Sequence, residues 1–193
     1  MDKDFARDIY FINEQSDKPS FIYRDKKIIG VIEEIDISSA MSILDIGERN
    51  RLTERIEKHF NISEIVNTCY DLDEPENWWA CPNYDLIIFS HVIEHLFNPL
   101  LCLEGIKRMM KPDAIMIIAT PIKPHFIRWG KGHFHEMDDY RFKKLMDRAG
   151  LEILKWHKFS TYNWWNRKCY TGIRPFIRMF FKEQSVVIVK IKK

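Results

Sequence analysis

No apolar run in this chain approaches the roughly 20 residues that a membrane-spanning helix needs, so no such segment is expected. There is no CxxC pair either: Cys69, Cys81, Cys102 and Cys169 stand far apart. Thiols scattered in this way are expected to stay reduced, which points to a cytoplasmic protein rather than a disulfide-stapled one. The start, Met1-Asp2-Lys3-Asp4-Phe5, lacks the basic opening and the apolar segment of a secretory signal. Internal repeats and low-complexity stretches are missing. So is a G-x-G-x-x-G turn, which argues against a nicotinamide-dependent enzyme.

What remains is 193 residues, 46% hydrophobic and 30% charged, enough for one globular domain with a full core. Net charge is only +2 but unevenly spread. Residues 1–100 hold 10 Lys and Arg against 20 Asp and Glu, and residues 101–193 hold 20 against 8. Either the two halves attract within one fold, or a basic surface near the C-terminus meets an anionic substrate or a membrane.

The chain is organised around Ser42-Ile43-Leu44-Asp45-Ile46-Gly47-Glu48-Arg49-Asn50. Met41, Ile43, Leu44 and Ile46 read as a strand buried on both faces. Gly47 supplies the turn, because glycine reaches positive φ without steric cost. Asn50 is placed to cap a helix over 51–60. A strand, a glycine turn and a helix start leave free backbone N–H groups aimed at one spot, a site for a carboxylate or phosphate. Upstream, residues 23–37 suit a helix with Ile28, Ile29, Ile32 and Ile35 on one face. Downstream, strands are expected at 41–46, 62–67, 84–90, 114–120, 151–159 and 185–191. Helices are expected from Pro99 to Met110 and from Asp138 to Ala149, the latter stopping at Gly150. Lys111-Pro112-Asp113 reads as a turn, and Asp71 to Pro75 as an acidic loop. Strands alternating with helices at this rhythm argue for a mostly parallel sheet covered on both faces. Ligands of such sheets bind beyond the carboxyl ends of the strands, which aligns Gly47, Asp71, His91 and Thr120 along one edge.

With those residues in place, the motifs resemble a family. Ile43-Leu44-Asp45-Ile46-Gly47, Tyr84-Asp85-Leu86-Ile87-Ile88, Val92-Ile93-Glu94-His95-Leu96, Lys111-Pro112-Asp113-Ala114 and His133-Phe134-His135-Glu136 occur in order, followed by Ala149-Gly150-Leu151-Glu152. They are similar to class I S-adenosylmethionine-dependent methyltransferases of the small-molecule type that includes ubiquinone-biosynthesis enzymes. The resemblance spans about residues 40–160. It implies an α/β, Rossmann-like, doubly wound sheet of seven strands, mostly parallel with an antiparallel last strand. Within 1–193 it implies a helical cover over 1–40, a core over 41–159, an insertion over 160–183 and a closing strand over 184–193. It also implies S-adenosyl-L-methionine lying over the Gly47 turn. Asp45, Gly47 and Asn50 would stand beside its methionine part, Asn67 at the ribose, Asp71, Leu72 and Asp73 at the adenine, and Ser90 and His91 on the pocket floor. Two positions depart from the family pattern. Arg49 and Asn50 stand where glycines are usual, and Asn67 stands where a carboxylate usually holds the ribose.

The expected activity is methyl transfer to a small-molecule or lipid- or sugar-linked acceptor; the alternative is a non-catalytic relative serving as a binding or scaffold subunit. His91 and His95, four apart and sharing a face if helical, are the candidate bases. His133, His135 and Trp164 are candidate substrate contacts. His91, Glu94, His95, His133, His135 and Glu136 could also be combined into a metal site, but their spacing matches no closed-site signature and no metal is expected. The segment 160–183 carries Arg167, Lys168, Arg174, Arg178 and Lys182 beside Trp164, Trp165, Tyr170 and Phe176. It suits either packing on the sheet or contact with an anionic substrate or membrane surface. Nucleic acid is not an expected partner, because no groove-reading motif accompanies the charge.

Overall fold

The computed structural model describes residues 18–38, 40–68, 71–74, 83–122, 133–160 and 183–193. The expectations for Trp164 and for 161–182 therefore lie outside the described residues. The elements run in chain order: α1 (Pro19–Ile32), β1 (Ile43–Asp45), α2 (Arg51–Phe60), β2 (Val66–Asn67), β3 (Tyr84–Ser90), a single 3-10 turn (Ile93–His95), α3 (Pro99–Arg108), β4 (Met110–Ile122), α4 (Asp139–Arg148), β5 (Leu151–Ser160) and β6 (Glu183–Ile191).

The strands form one sheet in the order β2-β1-β3-β4-β6-β5. The first four run parallel, and β6 lies antiparallel to both β4 and β5. This is the expected α/β architecture with its antiparallel last strand. The strand number is the correction: six among the described residues, not seven.

Period-two alternation explains how both faces fill. Ile87 and Phe89 of β3, with Met116 and Ile118 of β4, join a core with Leu103 and Ile106 of α3 and Phe142 and Met146 of α4. The intervening residues Leu86, Ile88, Ile117 and Ala119 face Ile28 and Ile32 of α1 and Leu52 and Ile56 of α2. The central stretches of β3 and β4 therefore read as apolar runs, Leu86–Phe89 and Ile115–Ala119, covered on both faces. At the amino ends, the Asp85 carboxylate accepts Ser42 N–H at 2.9 Å, Ser42 Oγ–H at 2.7 Å and Lys111 Nζ at 2.8 Å, tying β1, β3 and β4 together. These three donors hold the Asp85 carboxyl down at about 2, with Lys111 the strongest influence.

Several local expectations shift. The first helix spans Pro19–Ile32 rather than 23–37, since Pro19 sits at its start, where a missing N–H costs nothing. Residues 62–67 form a strand only at Val66–Asn67. Lys111-Pro112-Asp113 belongs to β4 rather than to a turn, inside the irregular register where Tyr84 pairs Met110 and Leu86 pairs Ile115. That bulge is where a strand tolerates proline.

Candidate active site

The site is built at the carboxyl ends of β1, β2, β3 and β4. β1 stops at Asp45, and Gly47 then turns the chain with φ +114°. A side chain is strained at that angle. The Gly47 N–H donates to Thr68 Oγ1 at 2.7 Å, which locks the turn onto the end of β2. Asn50 caps α2 as expected. Its Oδ1 accepts Leu52 N–H at 2.9 Å and Thr53 N–H at 3.4 Å, and Thr53 Oγ1 closes a capping box. That bond set commits the Asn50 side chain to the helix. Arg49 lies back along α2, its guanidinium paired two-pronged with Glu57 at 2.8 and 2.5 Å.

Beneath the turn, Asp45 is 2% exposed. Thr53 Oγ1 donates to its Oδ2 at 2.5 Å and Asn67 Nδ2 lies 3.4 Å away. Burial dominates, and the Asp45 carboxyl is pushed up to about 7. Asn67 Nδ2 also donates to the Gly47 carbonyl at 3.2 Å, while Asn67 Oδ1 is buried with no partner.

In the acidic loop, Asp71 Oδ1 accepts Asp73 N–H at 2.9 Å. The Asp73 carboxylate accepts the N–H groups of Phe97 and Asn98 at 2.9 to 3.1 Å, so it anchors the start of α3. Leu72 packs into the core beneath α3.

Beyond β3 the chain bends at His91, whose φ of +57° is unusual for a residue with a side chain. Its N–H donates to the Ala119 carbonyl at 2.7 Å. His91 Nδ1 lies 3.1 Å from Oε1 of Glu94, a carboxylate 1% exposed, and Thr120 Oγ1 donates to Oε2 at 3.2 Å. His91 Nε2 and Ser90 Oγ are both buried without a partner. Burial, reinforced by the charge of Arg24 on α1, holds the His91 imidazole below its usual value. Burial opposes ionisation of Glu94, but the hydrogen bond from His91 and the neighbouring histidines outweigh it and keep the carboxylate ionised.

His91 and His95 do not share a helical face, because the left-handed bend at His91 breaks the segment and only Ile93–His95 form a turn. His95 instead meets the His133 ring edge-on, with centroids 4.6 Å apart. His133 Nδ1 is bonded to the buried Glu136 carboxylate. His135 Nε2 lies 3.3 Å from the Phe97 carbonyl, and the N–H groups of Phe134 and His135 donate to the Glu94 carbonyl at 2.8 and 3.0 Å. The 133–137 segment is thus clasped to the turn that carries Glu94. Glu94, His95 and His133 place ligand atoms within 4.8 Å of one another.

Sequence reading missed Thr68 and Arg24. Thr68 stands one residue past Asn67 and carries the signal of a polar residue following a strand end. Arg24 carries none, since only the folding of α1 over β1 and β3 brings its charge toward His91.

The fold and this edge, with its glycine turn, buried acid and unsatisfied acceptors, define a nucleotide-binding α/β protein of the doubly wound class. Residues 20–156 match the family model described as "Methyltransferase domain". The chain therefore belongs to that family, the class I S-adenosylmethionine-dependent methyltransferases. No curated protein sequence matches it. Among solved structures it is similar to an S-adenosylmethionine-dependent methyltransferase from Archaeoglobus fulgidus, with TM-score 0.61 and 15% identity over 94% of this chain and 99% of that one. It is also similar to the 1,6-didemethyltoxoflavin-N1-methyltransferase of Burkholderia thailandensis, solved with 1,6-didemethyltoxoflavin and S-adenosylhomocysteine (TM-score 0.61, 9% identity, 97% and 87% covered). A third likeness is the [4+2]-cyclase SpnF (TM-score 0.61, 14% identity, 87% and 81% covered). No helix among the described residues is long and apolar enough to cross a membrane.

Proposed function

We propose that the chain binds S-adenosylmethionine across the Gly47 turn and transfers its methyl group to a small-molecule acceptor. The observation that carries this is the row of buried polar atoms without partners, Asn67 Oδ1, Ser90 Oγ and His91 Nε2, at the ends of β2 and β3. Leaving such atoms unpaired costs roughly 1–3 kcal/mol each, a cost that a polar ligand between them would relieve. Asn67 Oδ1 suits a ribose hydroxyl, with one acceptor in place of a carboxylate's two oxygens. The turn amides ahead of α2 suit the cofactor's carboxylate, and the buried Asp45 suits its cationic end. When bound, the cofactor supplies an electrophilic methyl on a positively charged sulfur.

The chain's own contribution is alignment and exclusion of water, and well-aligned geometry is worth roughly 7–11 kcal/mol. His91 is assigned to the pocket floor, its Nε2 buried and without a partner, whereas His95 is turned to His133. His133 and His135 belong to the wall on the acceptor side, and Trp164 and the basic segment 160–183 are further candidates for gripping an anionic or lipid-linked acceptor. Titration of S-adenosylhomocysteine by calorimetry is the direct test. Micromolar binding is expected. No heat at high micromolar ligand would instead favour a scaffold that has kept the fold alone.

A further inference from the structure

We infer that Glu94, His95 and His133 form a site for one divalent transition-metal ion of the zinc class, held between the turn after β3 and the 133–137 segment. Their ligand atoms lie within 4.8 Å of one another. A movement of about an ångström in the two partly exposed imidazoles brings all three onto an ion bound at 2.0–2.2 Å. The sequence spacings that mark closed zinc sites do not find this set, because its third donor arrives from a different segment of the fold.

The backbone fixes the donors in place. The N–H groups of Phe134 and His135 both donate to the Glu94 carbonyl, at 2.8 and 3.0 Å. His133 immediately precedes that clasp and His95 immediately follows Glu94, so two main-chain bonds carry all three side chains together. The side chains are oriented as well. His133 Nδ1 is bonded to the Glu136 carboxylate, a group 2% exposed. That bond puts the ring proton on Nδ1 and leaves the lone pair on Nε2, the arrangement by which a carboxylate aims a metal-binding histidine. Glu94 is held from two sides, by Thr120 Oγ1 at 3.2 Å from Oε2 and by His91 Nδ1 at 3.1 Å from Oε1. Each carboxylate oxygen can accept twice, so these bonds aim the group without exhausting it.

Charge and donor chemistry narrow the ion. Glu94 is 1% exposed, and among the described residues it is paired by an imidazole and by no lysine or arginine. A buried carboxylate needs a cation beside it, and coordination to a metal is one of the two ways proteins supply one. Two imidazoles and a carboxylate suit zinc and its neighbours in the first transition row, whereas magnesium and calcium favour oxygen alone. Three protein donors leave one position of a four-coordinate ion to water or a small ligand. None of the three is among the atoms proposed to hold S-adenosylmethionine, so the site stands whether or not that cofactor binds.

The test uses the intact chain, stripped with a chelator and titrated by calorimetry with zinc chloride and separately with magnesium chloride. One zinc per chain with micromolar or tighter affinity is expected, and no magnesium binding at the same concentrations. Glu136→Gln, which leaves the three donors in place, should weaken zinc about 10–100-fold. His133→Gln should weaken it further, and His59→Gln, at an exposed histidine of α2, should bind as the parent does. Nitrogen-15 NMR of the parent chain decides the matter even if His133→Gln fails to fold. Zinc should move the ring signals of His95 and His133 and leave that of His59 in place. No zinc binding, equal affinity in a folded His133→Gln, magnesium binding as tight as zinc, or ring signals of His95 and His133 that stay put would overturn the assignment. Calorimetry with S-adenosylhomocysteine on the same protein reads the proposed cofactor site separately, so either ligand can fail without the other.

Discussion

Asp45 lies beneath the Gly47 turn with Thr53 and Asn67 as its donors, and burial pushes its carboxyl up to about 7. An acid whose folded value stands above its unfolded 3.8 withholds stability once the pH passes the unfolded value. The penalty grows from about pH 4 and levels off above about 7. Asp45→Asn should remove that slope. Between pH 4 and pH 8, urea unfolding should show the parent chain losing up to about 4 kcal/mol relative to the variant. A flat difference would mean that the carboxyl titrates normally in the fold. The same residue makes a second measurable statement. If the cationic end of the cofactor settles beside Asp45, binding favours the carboxylate and drives its proton off. At pH 7 calorimetry in buffers of different ionisation heat should therefore detect release of about half a proton per ligand. No release would place the cofactor's charge elsewhere.

At the scale of elements, the helix α2 decides whether this departure from the usual glycines is tolerated. Arg49 is taken up by Glu57, and Asn50 by the first amides of the helix, so the side chains standing in for glycine are both drawn toward α2. Arg49→Ala loses an exposed ion pair and should cost at most about 1 kcal/mol in stability, with S-adenosylhomocysteine affinity unchanged. Asn50→Ala removes the cap and should cost about 0.5–2 kcal/mol. A rise of tenfold or more in affinity for Arg49→Ala would show that the arginine competes with the ligand in solution. The cap is also why α2 was legible before folding: a polar side chain followed by Thr53 marks a helix start without tertiary help, and the observed bounds are 51–60 as read. β3, built on the apolar run Leu86-Ile87-Ile88-Phe89, was equally plain. What the local pattern did not reveal depends on neighbours. Pro112 lies in a strand only because β3 and β4 shift register there. His91 leaves the helical path because Ala119 takes its N–H. Asp73 accepts the amides of Phe97 and Asn98, more than twenty residues on, a tie that only the folded chain brings about.

For the whole molecule, the question is what the strongly basic second half serves. Among the described residues a few pairs join the acidic and basic halves, such as Glu34 with Lys155 and His157, and Asp85 with Lys111. Others stay within the second half, such as Lys158 with Asp139 and Lys192 with Asp147. Internal attraction therefore accounts for part of the asymmetry, and the basic and aromatic residues of 161–182 stand apart from that tally. The sheet fixes where this segment must begin and end. Ser160 pairs Glu183 at the close of an antiparallel ladder running back to Leu151 and Ile191, so the two ends are neighbours whatever joins them. Replacing 161–182 by an Asn-Gly hairpin turn keeps that register and shortens the loop by about twenty residues. By loop-closure entropy alone this stabilises the fold by about 2 kcal/mol. If the segment serves the acceptor or an anionic surface, the shortened protein should melt at or above the parent temperature. It should also bind S-adenosylhomocysteine unchanged, and lose methyl transfer together with any sedimentation on vesicles containing anionic lipid. If its aromatic residues are core instead, the same variant should lose several kcal/mol, since each large apolar side chain removed from a core costs about 3–5 kcal/mol. Thermal melting and one binding titration on a single variant decide between those two uses of the segment.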